Sequence, residues 1–524
     1  MMKVHLMYRD RDFTVRDDLP PEAGTLTRDL ELTTLFKAMA DGDEFLLRVV
    51  RQAILNAVNN DPDTILYRQN ILRDSLRNYA VVKSLYDLAV DATDNKKRHW
   101  LGIFSRYPGG VLCDAMELLQ MLIVILGQLR RLAEQHSARF ESEGFQTLFK
   151  QIKVELTDEY ISLVKTRLRE LKFPNGILIS AQLGPENQGT NHTLRQATEV
   201  RPPWFKRMLS HRQRGYSFRI DPRDEAGFQA LSDLRDRGIN SVANVLAQSA
   251  DHILDFFNML RTELAFYLGC WNLHHNLKVQ DVPICFPIPF TVGTAIRSLV
   301  GLRDVGLILS SRPPVIANDL PGDGKELVMI TGANQGGKST FLRSFGLGQL
   351  MMQAGMFVTA ELFRAEVCRG LFTHYRREED ATMTSGKLDE ELDRISDIVD
   401  RLVPYSIVLF NESFAATNER EGSEIASQVV RALLEAHVRV FFVTHQYEFA
   451  NGFWEEKMEN SLFLRAERQT DGARPFKLIS GPPRPTSYGL DVYAQIFADE
   501  SIRRSPIVLG ATAPAAVGAS DGNP

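Results

Sequence analysis

One glycine-rich stretch carries residue types that bind phosphate. Residues 332–339 match the pattern GxxxxGK[ST] and comprise Gly332, Ala333, Asn334, Gln335, Gly336, Gly337, Lys338 and Ser339. An apolar run precedes the motif, and a helical segment follows from Thr340. Glycines let several backbone N–H groups face one point, and a helix N-terminus adds partial positive charge there. The sequence predicts a P-loop in which Lys338 contacts the phosphates of ATP and Ser339 is a ligand of Mg²⁺.

Two further strand-like runs end in polar residues. Residues 406–410 form a mostly apolar run, which is followed by Asn411 and Glu412. In P-loop ATPases, the first residue at this place holds Mg²⁺ through water, and the second polarises the attacking water. Asn411 supplies an oxygen without charge, so we expect weak Mg²⁺ affinity, and Glu412 is the predicted general base. A third run ends at His445, which can sense the γ-phosphate or orient the water.

Two kinds of segment must position these residues. Apolar residues recur at steps of three and four from Thr27 to about Lys172 and again after Asp224, which predicts long packed helices. Beyond Pro289, short β-rich runs alternate with helices, as in a parallel sheet. The predicted fold class is multidomain, an all-α domain followed by an α/β P-loop domain. The predicted boundaries are a loose arm over 1–24, a helical domain over 25–290 with an irregular basic insertion at 173–223, the α/β domain over 291–500 and a disordered tail over 501–524.

The composition of the chain restricts its expected partners and cellular compartment. The chain has 61 basic and 66 acidic residues, so any surface for nucleic acid must be a local patch. The four cysteines form no CxxC pair, which argues against a disulfide framework or a zinc site. The N-terminus resembles no signal peptide, and the apolar run 118–129 is too short to cross a bilayer and predicts a buried helix. We therefore expect a cytoplasmic protein with no membrane partner.

A basic stretch at 195–219 is a candidate DNA contact. It contains seven Lys or Arg residues, one acid and four interleaved aromatic residues. Such a composition suits phosphate contacts with stacking surfaces. The residues named for DNA contact are Arg207, Arg212 and Arg214. A solvated basic loop explains the same composition equally well.

Five segments together resemble one family, the MutS mismatch-repair ATPases. Residues 331–343 resemble the family motif TGPNMGGKSTxxR. The other segments resemble PFIAN, QxGxFVPA, THYxEL and SYG, and lie at 314–319, 353–360, 444–449 and 487–489. The similarity is strong over about 316–493 and weaker over the helical part.

The resemblance implies an ABC-type ATPase domain on a helical core and lever. It implies a homodimer through the ATPase faces, with ATP binding and hydrolysis coupled to clamp closure on mismatched or structured DNA. Ile316 then flanks the adenine, and Ser385 reaches the phosphates bound by the partner. Ser385 also precedes a helical run, so a simple N-cap is the alternative. The insertion 173–223 corresponds to a reduced clamp.

The chain also departs from the family pattern. Asn411 replaces the metal-side Asp, and residues 414–418 replace the glycine-rich GRGTS. No Phe-x-Glu wedge occurs in the first hundred residues, so we do not expect direct mismatch reading. Two other functions stay open. One is an ATP-gated clamp on branched DNA, structured RNA or a ribosome, and the other is a non-hydrolysing nucleotide-binding scaffold.

Overall fold

The chain consists of two compact units. The computed structural model describes residues 2–16, 18–99, 107–174, 176–195, 217–310, 314–333, 335–377, 386–467 and 475–484, with only the backbone at 95–99 and 187. Unit 1 comprises Met1–Gly324, Arg343–Thr373 and Leu402–Ile407, and unit 2 comprises Lys325–Leu342, His374–Arg401 and Val408–Pro524. The predicted domain boundaries stay predictions, and the predicted tail lies outside the described residues.

Unit 1 contains long helices whose starts follow from local capping. Helices α1 to α9 are Ala23–Asp29, Leu32–Ala40, Glu44–Leu55, Pro62–Arg77, Tyr79–His99, Pro108–His136, Glu143–Glu155, Asp158–Glu170 and Glu225–Val279. Asp43 accepts hydrogen bonds from the N–H groups of Phe45 and Leu46 and caps α3. Asp61 caps α4, whose first residue is Pro62. The predicted helical character of this region is confirmed.

Helix α6 is apolar and packs into the core of unit 1. It lies in a cluster with α8 and α9 made of Leu112, Met116, Leu119, Leu168, Ile239, Ala243 and Ala250. By length and composition, Pro108–Arg139 is the one segment among the described residues that could cross a membrane, a test that core helices of soluble proteins also meet. The prediction that this apolar segment is too short to cross a bilayer was wrong, because the helix extends well beyond the run 118–129. The predicted burial of the run agrees with its buried residues, Leu119, Leu122, Ile123, Ile125, Leu126 and Leu129.

The N-terminal segment is packed, so the prediction of a loose arm over 1–24 was wrong. Leu6, Met7 and Phe13 are buried in unit 1. Their backbone N–H groups donate to the carboxylate of Glu263 on α9. The polar composition of the segment concealed these apolar anchors, and their partner lies about 250 residues away in the sequence.

The insertion at 173–223 contains a hairpin that the sequence argument missed. Strands β1, Leu178–Leu183, and β2, Gly189–Arg195, pair antiparallel, with an irregular register between Ser180 and Gln182. Both strands are mostly exposed, and Leu194 is the one apolar side chain of β2, so no apolar alternation marks the second strand of the hairpin in the sequence. The described part of the insertion therefore contains a two-stranded sheet over 178–195.

A four-stranded sheet completes unit 1. Its strands are β3, Ile288–Phe290, β4, Arg297–Leu302, β5, Asn318–Pro321, and β7, Leu362–Glu366, in the order β3-β7-β4-β5. Strand β3 pairs parallel with β7, and β4 pairs antiparallel with both β5 and β7. Helix α10 is Val305–Ser310. A buried ion pair of 3.1 Å joins Arg297 to Glu366 within this sheet.

A six-stranded sheet is centred in unit 2. Its strands are β6, Leu327–Thr331, β8, Leu371–Tyr375, β9, Ile407–Asn411, β10, Arg439–Val443, β11, Ser461–Ala466, and β12, Leu478–Ser480. Their order is β12-β11-β6-β10-β9-β8, with β6 parallel to β10 and β11 and with β12 antiparallel to β11. The nearby helices are α11, Lys338–Gln353, α12, Lys387–Val399, α13, Glu419–Glu435, and α14, Tyr447–Glu455. The three predicted strands are confirmed as β6, β9 and β10.

Candidate functional site

The ends of three adjacent strands bring the predicted site residues together in unit 2. Strand β6 leads into the glycine-rich loop, β9 ends at Asn411, and β10 ends just before Thr444. The Glu412 N–H donates to the carbonyl of Val443, and the Thr444 N–H donates to the carbonyl of Ile330. These bonds extend the sheet ladder beyond the strands, so the polar residues after each strand lie side by side.

The glycine-rich loop has the backbone shape that its sequence predicts. Gly332 and Gly337 adopt positive φ angles of 117° and 87°. A Cβ atom at Gly336 would lie 2.7 Å from the Cβ of Ala466 and 2.9 Å from the carbonyl oxygen of Ala333, so only glycine fits there. Helix α11 begins at Lys338, directly after the loop, so its first N–H groups and its dipole lie at the loop.

The ammonium of Lys338 lies inside this loop. The side chain is 4% exposed, and its Nζ atom donates to the carbonyl oxygens of Gly332 at 2.8 Å and Ala333 at 3.0 Å. Nζ also lies 3.7 Å from Oε1 of Glu412. The loop therefore holds a buried positive charge next to the predicted general base.

Ser339 and Asn411 meet, as expected for two ligands of one metal ion. The Ser339 hydroxyl donates to Oδ1 of Asn411 at 2.9 Å. Both oxygens are neutral, whereas Mg²⁺ in proteins is usually bound through one or two carboxylates together with substrate phosphates. No group of three or more His, Cys, Asp or Glu side chains that could hold a metal lies within the described parts of the chain. The donor set thus fits Mg²⁺ only weakly from the protein side.

Glu412 and His445 form an ion pair. Nδ1 of His445 bonds to Oε2 of Glu412. Burial acts to raise the pKa of Glu412, but the hydrogen bond and charge of His445 and the charge of Lys338 outweigh it, so this pKa lies below its ordinary value. The bond to Glu412 raises the pKa of His445 against the opposing effect of burial. Glu412 adopts a φ of +54°, an unusual angle for this residue type that is common at functional sites.

A buried polar network, which the sequence argument missed, supports the residue after Glu412. Ser413 Oγ lies 2.8 Å from Nδ1 of His374, and Nε2 of His374 lies 3.1 Å from the carbonyl oxygen of Glu391. Burial, aided by the charge of Arg394, lowers the pKa of His374 to about 4, so the ring is neutral at neutral pH. The network fixes the start of the loop that follows β9.

The Glu391 carboxylate anchors the next residue of that loop. It accepts a hydrogen bond of 2.8 Å from the N–H group of Phe414, which has a φ of +60°. Phe414 is buried and stacks on His374. In the sequence, only the position of residues 413 and 414 directly after Glu412 could have pointed to this network.

A cavity of about 540 Å³ opens between these elements. Its lining residues are Gln335, Gly336, Gly337, Lys338, Ser339, Thr340, Arg376, Arg377, Lys387, Asn411, Glu412 and His445. The structure therefore brings the second part of the predicted P-loop, residues 335–339, together with the polar pair and the histidine at one pocket. Arg376 and Arg377 were missed because no motif includes them, and Lys387 was missed although it lies in the segment for which Ser385 was named.

Several predicted site residues do not belong to the pocket as the structure describes it. Asn334 of the loop, Ser385 and the three arginines Arg207, Arg212 and Arg214 lie outside the described residues. Ile316 belongs to unit 1 and is exposed. The roles assigned to these residues stay predictions.

Two models of known protein families match separate segments of the chain. The model described as the MutS2 N-terminal domain matches residues 60–280, and the model described as MutS domain V matches residues 328–505. The two matched segments together make up more than half of the 524 residues. The second match contains the loop, the polar pair and His445.

Curated relatives carry related names. A DNA mismatch repair protein MutS of Thermus aquaticus is 31% identical over 216 residues, which are 41% of this chain and 26% of that protein. MutS protein homolog 4 of Mus musculus is 24% identical over 325 residues, 60% of this chain and 33% of that protein. Endonuclease MutS2 of Lacticaseibacillus casei is 34% identical over 149 residues, 28% of this chain and 19% of that protein. The aligned region thus spans a third or less of each of these relatives. Because two MutS-type family models together match more than half of the residues, the chain belongs to the MutS family.

Proposed function

We propose that this chain binds and hydrolyses ATP in the cavity of unit 2 and uses that cycle to control binding to DNA. One observation carries the proposal. The loop before α11, the buried Lys338 ammonium and the Glu412–His445 pair all line one cavity. A phosphate cradle beside a positioned carboxylate is the combination that phosphoryl transfer to water requires.

The site residues predicted from the sequence have these roles in the proposal. The loop N–H groups and Lys338 bind the β- and γ-phosphates, as in an ABC-type P-loop. Ser339 would hold Mg²⁺ directly and Asn411 would hold it through water, and the bound ion would supply charge neutralisation. Glu412 accepts the proton of the attacking water, and His445 orients Glu412 and senses the γ-phosphate.

The macromolecular partners follow from the family and from charge. Relatives are named as DNA mismatch repair proteins, which supports DNA, mismatched or structured, as the partner of this chain. The proposed contacts are Arg207, Arg212 and Arg214. We also propose a homodimer through the ATPase faces, in which Ser385 completes the partner's site. A cytoplasmic location stays a prediction.

A second candidate function rests on Asn411. Because this residue supplies no negative charge for the metal, the chain could bind nucleotide without turning it over and serve as a scaffold. The proposed hydrolase and the scaffold share ATP binding and differ in phosphate release.

Substitution of Lys338 tests the nucleotide site. We expect Lys338→Ala to weaken ATP binding by about 100-fold or more, because charge-assisted bonds to the phosphates are lost. Titration calorimetry measures ATP affinity, and phosphate release separates the hydrolase from the scaffold. Lys457→Ala, an exposed lysine of unit 2 outside the cavity lining, is the matched control. Circular dichroism checks that both variants are folded.

The same proteins test the partner. Binding to duplex, mismatched and branched DNA and to structured RNA is measured with and without ATP over a range of salt. The proposal expects binding to DNA that changes with ATP in the wild-type chain and not in Lys338→Ala. Unchanged ATP affinity in Lys338→Ala would sink the P-loop assignment, and a preference for RNA would replace the DNA partner.

A further inference from the structure

The cavity of unit 2 has an unusual balance of charge. Its lining includes four permanently basic side chains, those of Lys338, Arg376, Arg377 and Lys387. Glu412 is the one carboxylate among the lining residues that the structure describes. A nucleoside triphosphate carries several negative charges, which must be compensated by the protein or by a metal ion. The balance of these side chains suits a polyanion even before any metal is considered.

The protein offers little to a metal ion at this place. Ser339 and Asn411 present two neutral oxygens that already bond to each other. The Glu412 carboxylate is paired with His445 and lies close to Lys338. Mg²⁺ dehydrates reluctantly and is normally held by carboxylates as well as phosphates. A Mg²⁺ ion would therefore depend on the phosphates for nearly all its anionic ligands.

Arg376 is fixed beside the residue that lacks the expected charge. Its backbone N–H donates to the carbonyl oxygen of Asn411 at 2.9 Å. The preceding residue, Tyr375, is held by a bond of 3.0 Å from Nη1 of Arg394 to its carbonyl oxygen. The Arg376 side chain is exposed where it lines the cavity. Its charge also reaches His445, whose pKa it acts to lower.

Arginine is suited to replace a metal in this role. A guanidinium group stays charged, is more weakly hydrated than an ammonium and offers a planar fork that matches two phosphate oxygens. A cation held at the end of β8, next to Asn411, can contact the same phosphates that a metal would bridge. We propose that Arg376 and Arg377 neutralise the terminal phosphates of the bound nucleotide, so that triphosphate binding by this chain depends little on Mg²⁺. This inference rests on the proposed nucleotide site.

The test compares ATP affinity with and without metal. Titration calorimetry is run with ATP in Mg²⁺ and in EDTA on the full chain, on Arg376→Ala and on the double variant Arg376→Ala/Arg377→Ala. In the wild-type chain, we expect removal of Mg²⁺ to weaken binding by less than about tenfold. Each arginine lost should weaken binding in EDTA by about 10- to 100-fold, since a hydrogen bond to a charged group is worth about 1.5–3 kcal/mol. Added Mg²⁺ should restore part of that loss.

Two controls separate the outcomes. Arg420→Ala removes an exposed arginine of unit 2 outside the cavity lining and should behave as wild type. Arg376→Lys keeps the charge without the fork and should lie between wild type and Arg376→Ala. Because Arg376 is exposed, we expect Arg376→Lys to fold. It therefore tests the role of the guanidinium group even if the double variant does not fold.

Three results are distinguishable. A wild-type chain that loses more than about 100-fold affinity in EDTA overturns the inference, although ATP binding in Mg²⁺ still supports the nucleotide site. Arg376→Ala that matches Arg420→Ala in EDTA also overturns it. No ATP binding in either condition rejects the proposed function itself.

Discussion

One carboxylate in each unit, fully buried in unit 1 and partly exposed in unit 2, has surroundings opposite to those of the other. Glu263 in unit 1 is fully buried and accepts N–H groups of Leu6, Met7 and Phe13. Burial raises its pKa to about 7 in spite of those three bonds. Burial also acts to raise the pKa of Glu412 in unit 2, but there the charged partners prevail and the pKa is lowered.

The difference lies in the partners that each carboxylate has. Glu263 is bonded by neutral backbone donors from a segment distant in sequence, so it fixes the chain and has no access to a ligand. Glu412 is bonded by an ionisable side chain at the edge of a cavity, so its charge can change during a reaction. A perturbed pKa marks a functional site only where a cavity and an ionisable partner accompany it. Three substitutions test this contrast.

The largest effect is expected for Glu412→Gln. Glutamine keeps the shape but cannot accept the proton of the attacking water, so we expect ATP turnover to fall by about 10²- to 10⁴-fold. ATP affinity should stay within a few-fold of wild type. Phosphate release and calorimetry on the same preparation measure the two quantities.

Glu448→Gln, an exposed acid in the first turn of α14, is the control for that substitution. Turnover of Glu412→Gln within about tenfold of wild type would place the base elsewhere. Glu412 would then resemble Glu263 as a structural carboxylate.

A smaller and pH-dependent effect is expected for His445→Ala. The hydrogen bond and charge of His445 hold the pKa of Glu412 low against the effect of burial. Without His445, less opposes the effect of burial, so the pKa of Glu412 rises and Glu412 stays protonated to higher pH. The acid limb of the turnover profile, measured with saturating ATP, should therefore move to higher pH. His437→Ala, an exposed histidine of unit 2, should leave the limb in place, and an unmoved limb in His445→Ala would contradict the assigned coupling.

The contrast between the carboxylates also explains what the sequence could predict. The loop 332–339 and the buried strands around it follow from local patterns, since glycine positions and apolar runs specify backbone shape over a few residues. The strands β6, β9 and β10 were placed correctly for this reason. Asn411, Glu412 and His445 were then named because each follows the end of a predicted strand in a parallel sheet.

The features that were missed depend on contacts between distant residues. Nothing near Glu263 in the sequence indicates that Leu6 and Phe13 bond to it, and so the N-terminal segment was predicted to be loose. Arg376 lies in no motif and lines the cavity only because its strand is placed beside Asn411. Such contacts are set by the packing of whole elements, which periodicity alone does not specify.

The last and smallest effect concerns the pH dependence of the N-terminal segment. The folded pKa of Glu263 is raised from 4.5 to about 7. A raised folded pKa means that this group's stabilising effect is fully present below about pH 4.5 and is lost as pH rises through about 7. The glutamine of Glu263→Gln does not titrate. We therefore compare the free energy that opens segment 2–16 in the wild-type chain with that in the variant. The wild-type value minus the variant value should fall across that window by up to about 1.4 kcal/mol per pH unit.

Hydrogen exchange of segment 2–16, measured by mass spectrometry at several pH values, reports this opening directly, because the bonded N–H groups of Leu6, Met7 and Phe13 lie within it. The other ionisable groups that act on Glu263 or its neighbours remain in both proteins, namely Asp12, Tyr67, Arg68 and Tyr267. Their titration therefore largely cancels in the difference. Asp10→Asn, an exposed acid of the same segment, should give a curve parallel to wild type. Parallel curves for wild type and Glu263→Gln would show that Glu263 stays ionised across the window, and the three backbone donors would then outweigh burial as His445 and Lys338 do at Glu412.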